Sequence, residues 1–454
     1  MSSEVQQSFV VNENSFQYYV KISPMTVVFE MHSQSVTKVK KAFLSGIWAT
    51  LISIAIGFTF KIWLAGWVAK ADLALFHTVV DIISLSMILM TGFRSSMVVT
   101  YSQTKNDIDI INIFRFALIF VVLMTWGGVI PYIKHSLDIG VEYLQLVGII
   151  FGLGLKLYFT NLVAMYRLYD ITNRTTWLDP ALNVALFLFA YYIAGFSALT
   201  ALFYGLTISS LITALYMYIS RRKEISTLPI KPVQLNSDMY GYVKKSFTAT
   251  LEAGASILMI YIAVLLTIRY FSVDELGDFQ VVVRPVFTYM TMLFVFPIYR
   301  FVLPELSVKV RNGEFSEIQL IRRWVFKLSF IVSCAFFLTM LLFGSNLVEA
   351  LFPAEYVGAT PVLFHFSIFF IFMMLNAYQL AYIKANGHFK TSLFIRLTGI
   401  ATLVVMFYVI SAFTDNVVAI IIALCSGYLM MFILSSFKEK QIRESALLTQ
   451  SQTV

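Results

Sequence analysis

Residues 72–81 read DLALFHTVVD, and residues 275–284 read ELGDFQVVVR. The two stretches align without a gap: an acidic residue, Leu, then Phe, then a run of apolar positions ending on Asp81 in one copy and Arg284 in the other. About 35 residues upstream of each lies a basic-aromatic tetrad, KKAF at 40–43 and KKSF at 244–247, and both open a long apolar segment. Further on, RTT at 174–176 is echoed by KTS at 390–392. Self-similarity at such an interval indicates a duplicated structural unit. The apolar segments between the echoes are too long and too continuous for anything but helices.

The bulk composition says what those helices face. The chain has 454 residues, of which 59% are hydrophobic and only 13% charged, with a mean hydropathy of +0.80. Soluble chains carry about 25% charged residues. No soluble core could hide this much apolar surface, so the solvent is lipid. Spans of roughly 20 residues are expected near 42–64, 73–100, 110–132, 143–166, 178–196, 198–219, 247–268, 276–303, 324–344, 358–383, 391–413 and 416–437. The runs do not alternate in the way of a membrane barrel strand. The expectation is therefore an all-α polytopic membrane protein of about 12 helices. It divides into a tail (1–37), a six-helix lobe (38–220), a linker (221–245), a second six-helix lobe (246–437) and a tail (438–454). Six crossings return the chain to the same side, so the lobes should be related by a pseudo-twofold axis along the membrane normal, with a substrate path between them.

Charge sets the orientation. Of 33 Lys and Arg, 22 fall in tails and loops on the side of both termini, and only Lys70, Lys134 and Arg269 fall in loops on the other side. This asymmetry puts both termini in the cytoplasm. It also accounts for the net charge of +8 without invoking nucleic acid. Met31 opens a compact basic lead, MHSQSVTKVKKAF, and is a candidate translation start, the alternative being that residues 1–37 form a cytoplasmic tail. Cys334 and Cys425 lie within spans as small apolar packers, with no disulfide or metal expected.

Nucleotide-binding, nucleophile-elbow and zinc motifs are absent, and the five His are scattered, so no enzyme is expected. Ionisable residues at membrane depth mark pathways instead, because a charge there costs several kcal/mol unless paired or hydrated. Asp81 and Arg284 occupy equivalent places in the second and eighth spans, Glu252 lies at similar depth in the seventh, and Lys156 near the centre of the fourth. One reading makes Arg284 an anion ligand, with Asp81 or Glu252 as counter-charge or coupling-ion site. The other makes Glu252–Arg284 or Asp81–Arg284 a packing ion pair, and Lys156 a partner within its own lobe. Arg94 follows Gly92 at an expected kink, near the cytoplasmic mouth. His77 lies one turn from Asp81 and could titrate with it, the alternative being an interfacial His. Arg115, Arg300, Lys327 and Arg396 lie nearer span ends and are expected to snorkel to the interface.

Two loop motifs carry a family resemblance. FVLPELSVKVRNGEF (301–315) and LFPAEYVGATPVL (351–363) resemble the P-x-L-S…G and LFG-x-EY…A-x-P-x-L stretches of Wzx-type polysaccharide flippases in the multidrug/oligosaccharidyl-lipid/polysaccharide (MOP) exporter superfamily. Pro304, Leu306, Ser307 and Gly313 match the first, and Leu351, Phe352, Glu355, Tyr356, Ala359, Pro361 and Leu363 the second, with Pro353 where Gly is usual. The resemblance covers about residues 38–440. It implies a V-shaped fold with helices 1, 2, 7 and 8 around a cationic cavity. It also implies flipping of an undecaprenyl-pyrophosphate-linked oligosaccharide across a bacterial inner membrane for O-antigen, capsule or exopolysaccharide assembly. A polysaccharide polymerase and a chain-length regulator would be partners, with H⁺ or Na⁺ as coupling ion and no cofactor. Arg284, Arg94 and Lys156 would contact substrate, and Asp81, Glu252 and His77 would serve as counter-charge or ion site. The rival within the superfamily is a cation-coupled multidrug or metabolite antiporter, which wants an acidic cavity. A membrane polymerase or acyltransferase wants a large external loop or paired catalytic residues, and the chain offers neither.

Overall fold

In the computed structural model, residues 24–451 are described, apart from 69, 88–89, 137–141, 221–236, 272–274, 276–277, 353 and 415–416. Those residues are helical almost throughout, and eleven helices are long and apolar enough to cross a membrane. α1 (Pro24–Trp67) begins inside the segment expected as a tail, so Met31 lies within a helix. The expected linker 221–245 falls partly outside the described residues, and its last part, from Ser237, is already helical.

The second expected span is described as α2 (Lys70–Met87) and α3 (Thr91–Thr104), and residues 88–89 between them lie outside the described residues. α4 (Asp107–Met124) starts on Asn106, whose Oδ1 accepts from Asp109 N at 3.2 Å. It runs through a π turn (Thr125–Val129) into α5 (Ile130–Ser136). α6 (Tyr143–Met165), α7 (Tyr169–Leu188) and α8 (Ala198–Ser220) complete the first half.

The second half opens with α9 (Ser237–Tyr270). The next crossing is irregular: π turns at Asp278–Val283, Thr291–Val295 and Ile298–Val302 flank α10 (Arg284–Met290) and lead into α11 (Leu303–Arg311). Each π turn takes an extra residue and often marks a functional site. α12 (Phe315–Leu351), α13 (Thr360–Ala385), α14 (Phe389–Ser411) and α15 (Val418–Ser451) follow. Pro304 and Pro361, from the two matched motifs, sit in the first turns of α11 and α13, where proline's missing N–H costs nothing. Gly313 (φ +69°) and Gly387 (φ +84°) turn the chain between α11 and α12 and between α13 and α14, in a conformation that a Cβ disfavours.

The buried apolar residues form two clusters. One draws on Leu64–Met217 with Met239 and Tyr242. The other draws on Ala249–Ile442 with Val39, Ala42, Phe43, Val99 and Tyr169. The halves meet on the side expected to be cytoplasmic, through polar contacts. Glu305, 4% exposed, accepts from Tyr169 Oη at 2.9 Å and from Arg167 at 3.1 Å. Ser96 and Ser246 hydroxyls share a 2.6 Å hydrogen bond, and Lys245 Nζ donates to Gln103 at 3.0 Å.

Candidate functional site: a cation-lined cavity between the halves

α3 and α9 touch at their backbones. A Cβ on Gly92 would lie 2.2 Å from Thr250 N, so only glycine permits this crossing. The Ser96–Ser246 bond one turn away fixes the same antiparallel pairing. Two residues beyond the contact on each helix stand Arg94 and Glu252, and both line a cavity of about 450 Å³. That volume is in the range of small-molecule sites, about 300–1,000 Å³.

The π-turn segment supplies the wall between. Phe287, Thr291, Val295, Tyr299 and Leu303 line the cavity at every fourth residue, with Arg300 beside Tyr299. The spacing of four, wider than the 3.6 of an α-helix, keeps one face inward over four turns. Lys384 from the end of α13, Arg396 from α14 and Tyr428 from α15 close the far side. Ile257, Ile260 and Phe287 give it an apolar lining as well.

Four basic side chains (Arg94, Arg300, Lys384, Arg396) against one carboxylate (Glu252) leave three positive charges on the wall. The five form two groups. Glu252, 2% exposed, has Oε2 at 2.9 Å from Lys384 Nζ and Oε1 at 3.6 Å from Arg396. Lys384 Nζ also lies 4.7 Å from the centre of the Tyr299 ring. Arg94 and Arg300 are half-buried and stand near one another, with no carboxylate neighbour among the described residues. Arg300 donates to Thr176 Oγ1 of α7 at 2.8 Å, which aims it from the other half of the protein. The chemistry available is anion binding, since two guanidiniums in an enclosed site offer planar bidentate donors to phosphate or carboxylate.

The sequence-based candidates are distributed as follows. Arg94 and Glu252 meet in the cavity, but Glu252 pairs with Lys384 and Arg396 rather than Arg284. Arg284 is exposed and is not on the cavity wall. Val283 and Phe287 of its segment are buried, and of these Phe287 lines the cavity. Lys156 donates to Asp179 of α7 at 2.6 Å, and Thr213 of α8 donates to the same carboxylate at 3.2 Å, all within the first half. Asp81 and His77 lie on α2, and their side chains fall outside the described residues. Arg300 and Arg396 do not snorkel: they turn into the cavity, Arg396 at 8% exposure. Arg115 is held by Tyr158 Oη at 2.7 Å. Lys384 and Arg300 were legible only as charges near helix ends. Nothing in the linear pattern signals that those ends converge.

Among the described residues, no group of His, Cys, Asp and Glu is placed to hold a metal ion. No family model and no curated protein sequence matches the chain. Solved structures do. A multidrug resistance MATE family transporter of the MOP superfamily in its outward-facing conformation superposes with a TM-score of 0.74 at 13% identity, over 90% of this chain and 96% of that one. A MATE protein in the bent conformation gives 0.75 at 14%, over 92% and 97%. A MOP superfamily transporter from Pyrococcus furiosus Vc1 (DSM3638), described as having a binding pocket of reverse polarity that suggests a different function, gives 0.72 at 15%, over 90% and 96%. The chain is thus an all-α membrane protein with the fold of the MATE transporters of the MOP superfamily.

Proposed function

We propose that this protein is a membrane transporter that flips a lipid-linked oligosaccharide by alternating access, with an undecaprenyl-pyrophosphate carrier as the lipid. The observation that carries this reading is the sign of the cavity: four cations and one carboxylate around about 450 Å³ between the two halves. Arg94 and Arg300, reaching in from α3 and from the π-turn segment, hold the pyrophosphate as bidentate donors. The polyprenyl tail stays in lipid while the charged head crosses inside protein. The setting is a bacterial inner membrane with both termini cytoplasmic, in O-antigen, capsule or exopolysaccharide assembly beside a polymerase and a chain-length regulator. Glu252 acts as counter-charge to Lys384 and Arg396. Asp81, with His77 one turn away, is the site to test for H⁺ or Na⁺ coupling.

The second reading is multidrug antiport, favoured by the superposition on a multidrug resistance MATE transporter. Three excess positive charges would repel an amphipathic cation, which argues against that substrate class. The Pyrococcus protein's pocket is described as of reverse polarity, suggesting a different function for that protein, and this supports a reading other than drug export here. The test is export in cells that lack their own lipid-linked-glycan flippase. Arg94→Ala and Arg300→Ala should each abolish surface glycan at normal protein abundance, with Arg→Lys giving partial rescue because a point charge replaces the fork. Arg284→Ala should cost less than either. Full glycan export by both alanine variants, or protection against cationic drugs that ignores them, overturns the proposal.

A further inference from the structure

The far wall of the cavity holds a basic pair that pyrophosphate binding leaves unused. Lys384 and Arg396 are 7% and 8% exposed, and both line the cavity. Cations at that depth persist only beside an anion. Glu252 supplies one negative charge for the two. Its Oε2 sits 2.9 Å from Lys384 Nζ, a direct charge-assisted contact. Its Oε1 sits 3.6 Å from the nearest Arg396 terminal nitrogen, beyond hydrogen-bond length. Among the described residues, Arg396 Nε is enclosed and has no hydrogen-bond partner, while its guanidinium also bonds the Tyr299 side chain. A guanidinium offers five donors in a planar fork, and this one keeps an unsatisfied donor on a residue of the cavity wall.

The pair lies next to the pyrophosphate site. Lys384 Nζ packs 4.7 Å from the Tyr299 ring centre, and Tyr299 precedes Arg300 in the chain. One substrate can therefore span both groups. We propose that Lys384 and Arg396 form a second anion subsite, which takes an acidic group on the glycan itself, a sugar carboxylate or a sugar phosphate. Glu252 fixes the pair and balances one of its charges, and the charge on Arg396 is left for the substrate. This rests on the reading of the cavity as a lipid-linked oligosaccharide path, and it narrows the cargo to acidic glycans.

The test uses the purified full chain in detergent and three short-chain probes, the glucosyl, glucuronyl and 6-phosphoglucosyl derivatives of citronellyl pyrophosphate, with affinities from calorimetry. At least one acidic probe should bind about tenfold or more tightly than the glucosyl probe, which corresponds to about 1.4 kcal/mol. The tighter of the two identifies carboxylate or phosphate as the natural group. Arg396→Gln should bring the three affinities together, while Arg94→Gln should weaken all three by a common factor. Arg396→Gln leaves Glu252 and Lys384 as a neutral pair. If it nonetheless fails to fold, the wild-type ratios decide. Equal wild-type affinities overturn the subsite but not the pyrophosphate site. A preference for acidic probes that survives Arg396→Gln also overturns the subsite. Failure of every probe to bind overturns both readings.

Discussion

Removing the carboxylate of Glu252 isolates what the buried triad does for the fold. Glu252→Ala leaves Lys384 and Arg396 together in the protein interior with no counter-charge among the described residues. At an effective dielectric of about 20, opposite charges at 2.9 Å attract by about 6 kcal/mol and at 3.6 Å by about 5 kcal/mol. Much of that attraction offsets the desolvation of three groups, so the loss is less than the sum. Breaking a buried pair by deleting one partner costs about 3–5 kcal/mol. The variant should therefore give little monodisperse protein in detergent and a lower transition temperature by fluorescence-detected size-exclusion after heating. Pairing it with both Lys384→Met and Arg396→Met removes the uncompensated cations and should recover much of the loss. Unchanged stability of Glu252→Ala, or no recovery in the triple variant, would refute the claim that Glu252 is there to balance the pair.

Three further outcomes follow from other contacts. Gly92→Val should separate α3 from α9, because its Cβ would meet Thr250 N at 2.2 Å, and should cost about 1–3 kcal/mol of overpacking, read as a drop in transition temperature and in glycan export together. Glu305→Ala removes the acceptor shared by Tyr169 and Arg167. It should loosen the cytoplasmic seal, so that a cysteine placed at Ser102 becomes labelled by an impermeant maleimide in inside-out vesicles and stays protected in the parent. Asp179→Asn should leave Lys156 with a weaker partner and reduce protein abundance without changing probe affinity, since neither residue lines the cavity.

Most of the fold was legible because hydropathy reports what a helix must face. The expected spans at 143–166, 198–219 and 391–413 coincide with α6, α8 and α14 to within about two residues. The irregular crossing at 276–303 was not legible, because hydropathy measures transfer to lipid and does not register the π turns at Asp278–Val283, Thr291–Val295 and Ile298–Val302. The site was half legible. Gly92 next to Arg94 pointed to a special backbone position, and the depth of Glu252 pointed to the cavity. Arg300 and Arg396 were missed because depth was counted from helix ends. Near an end, a cation can reach the interface or fold inward onto a neighbouring helix, and only the packing of α13, α14 and α15 decides which. The alignment of Asp81 with Arg284 compares positions along two helices, and which way Asp81 faces lies outside the described residues.

The most direct test of the central claim is translocation in proteoliposomes that contain the purified protein as their only component besides lipid. A fluorescent undecaprenyl-pyrophosphate oligosaccharide is placed in one leaflet, and a soluble quencher reports its arrival in the other. The predicted result is protein-dependent flipping that Arg94→Ala and Arg300→Ala each reduce by a factor of ten or more, with no uptake of cationic dyes by the same vesicles. Dye uptake driven by an ion gradient, with no glycan flipping under any gradient, would contradict it.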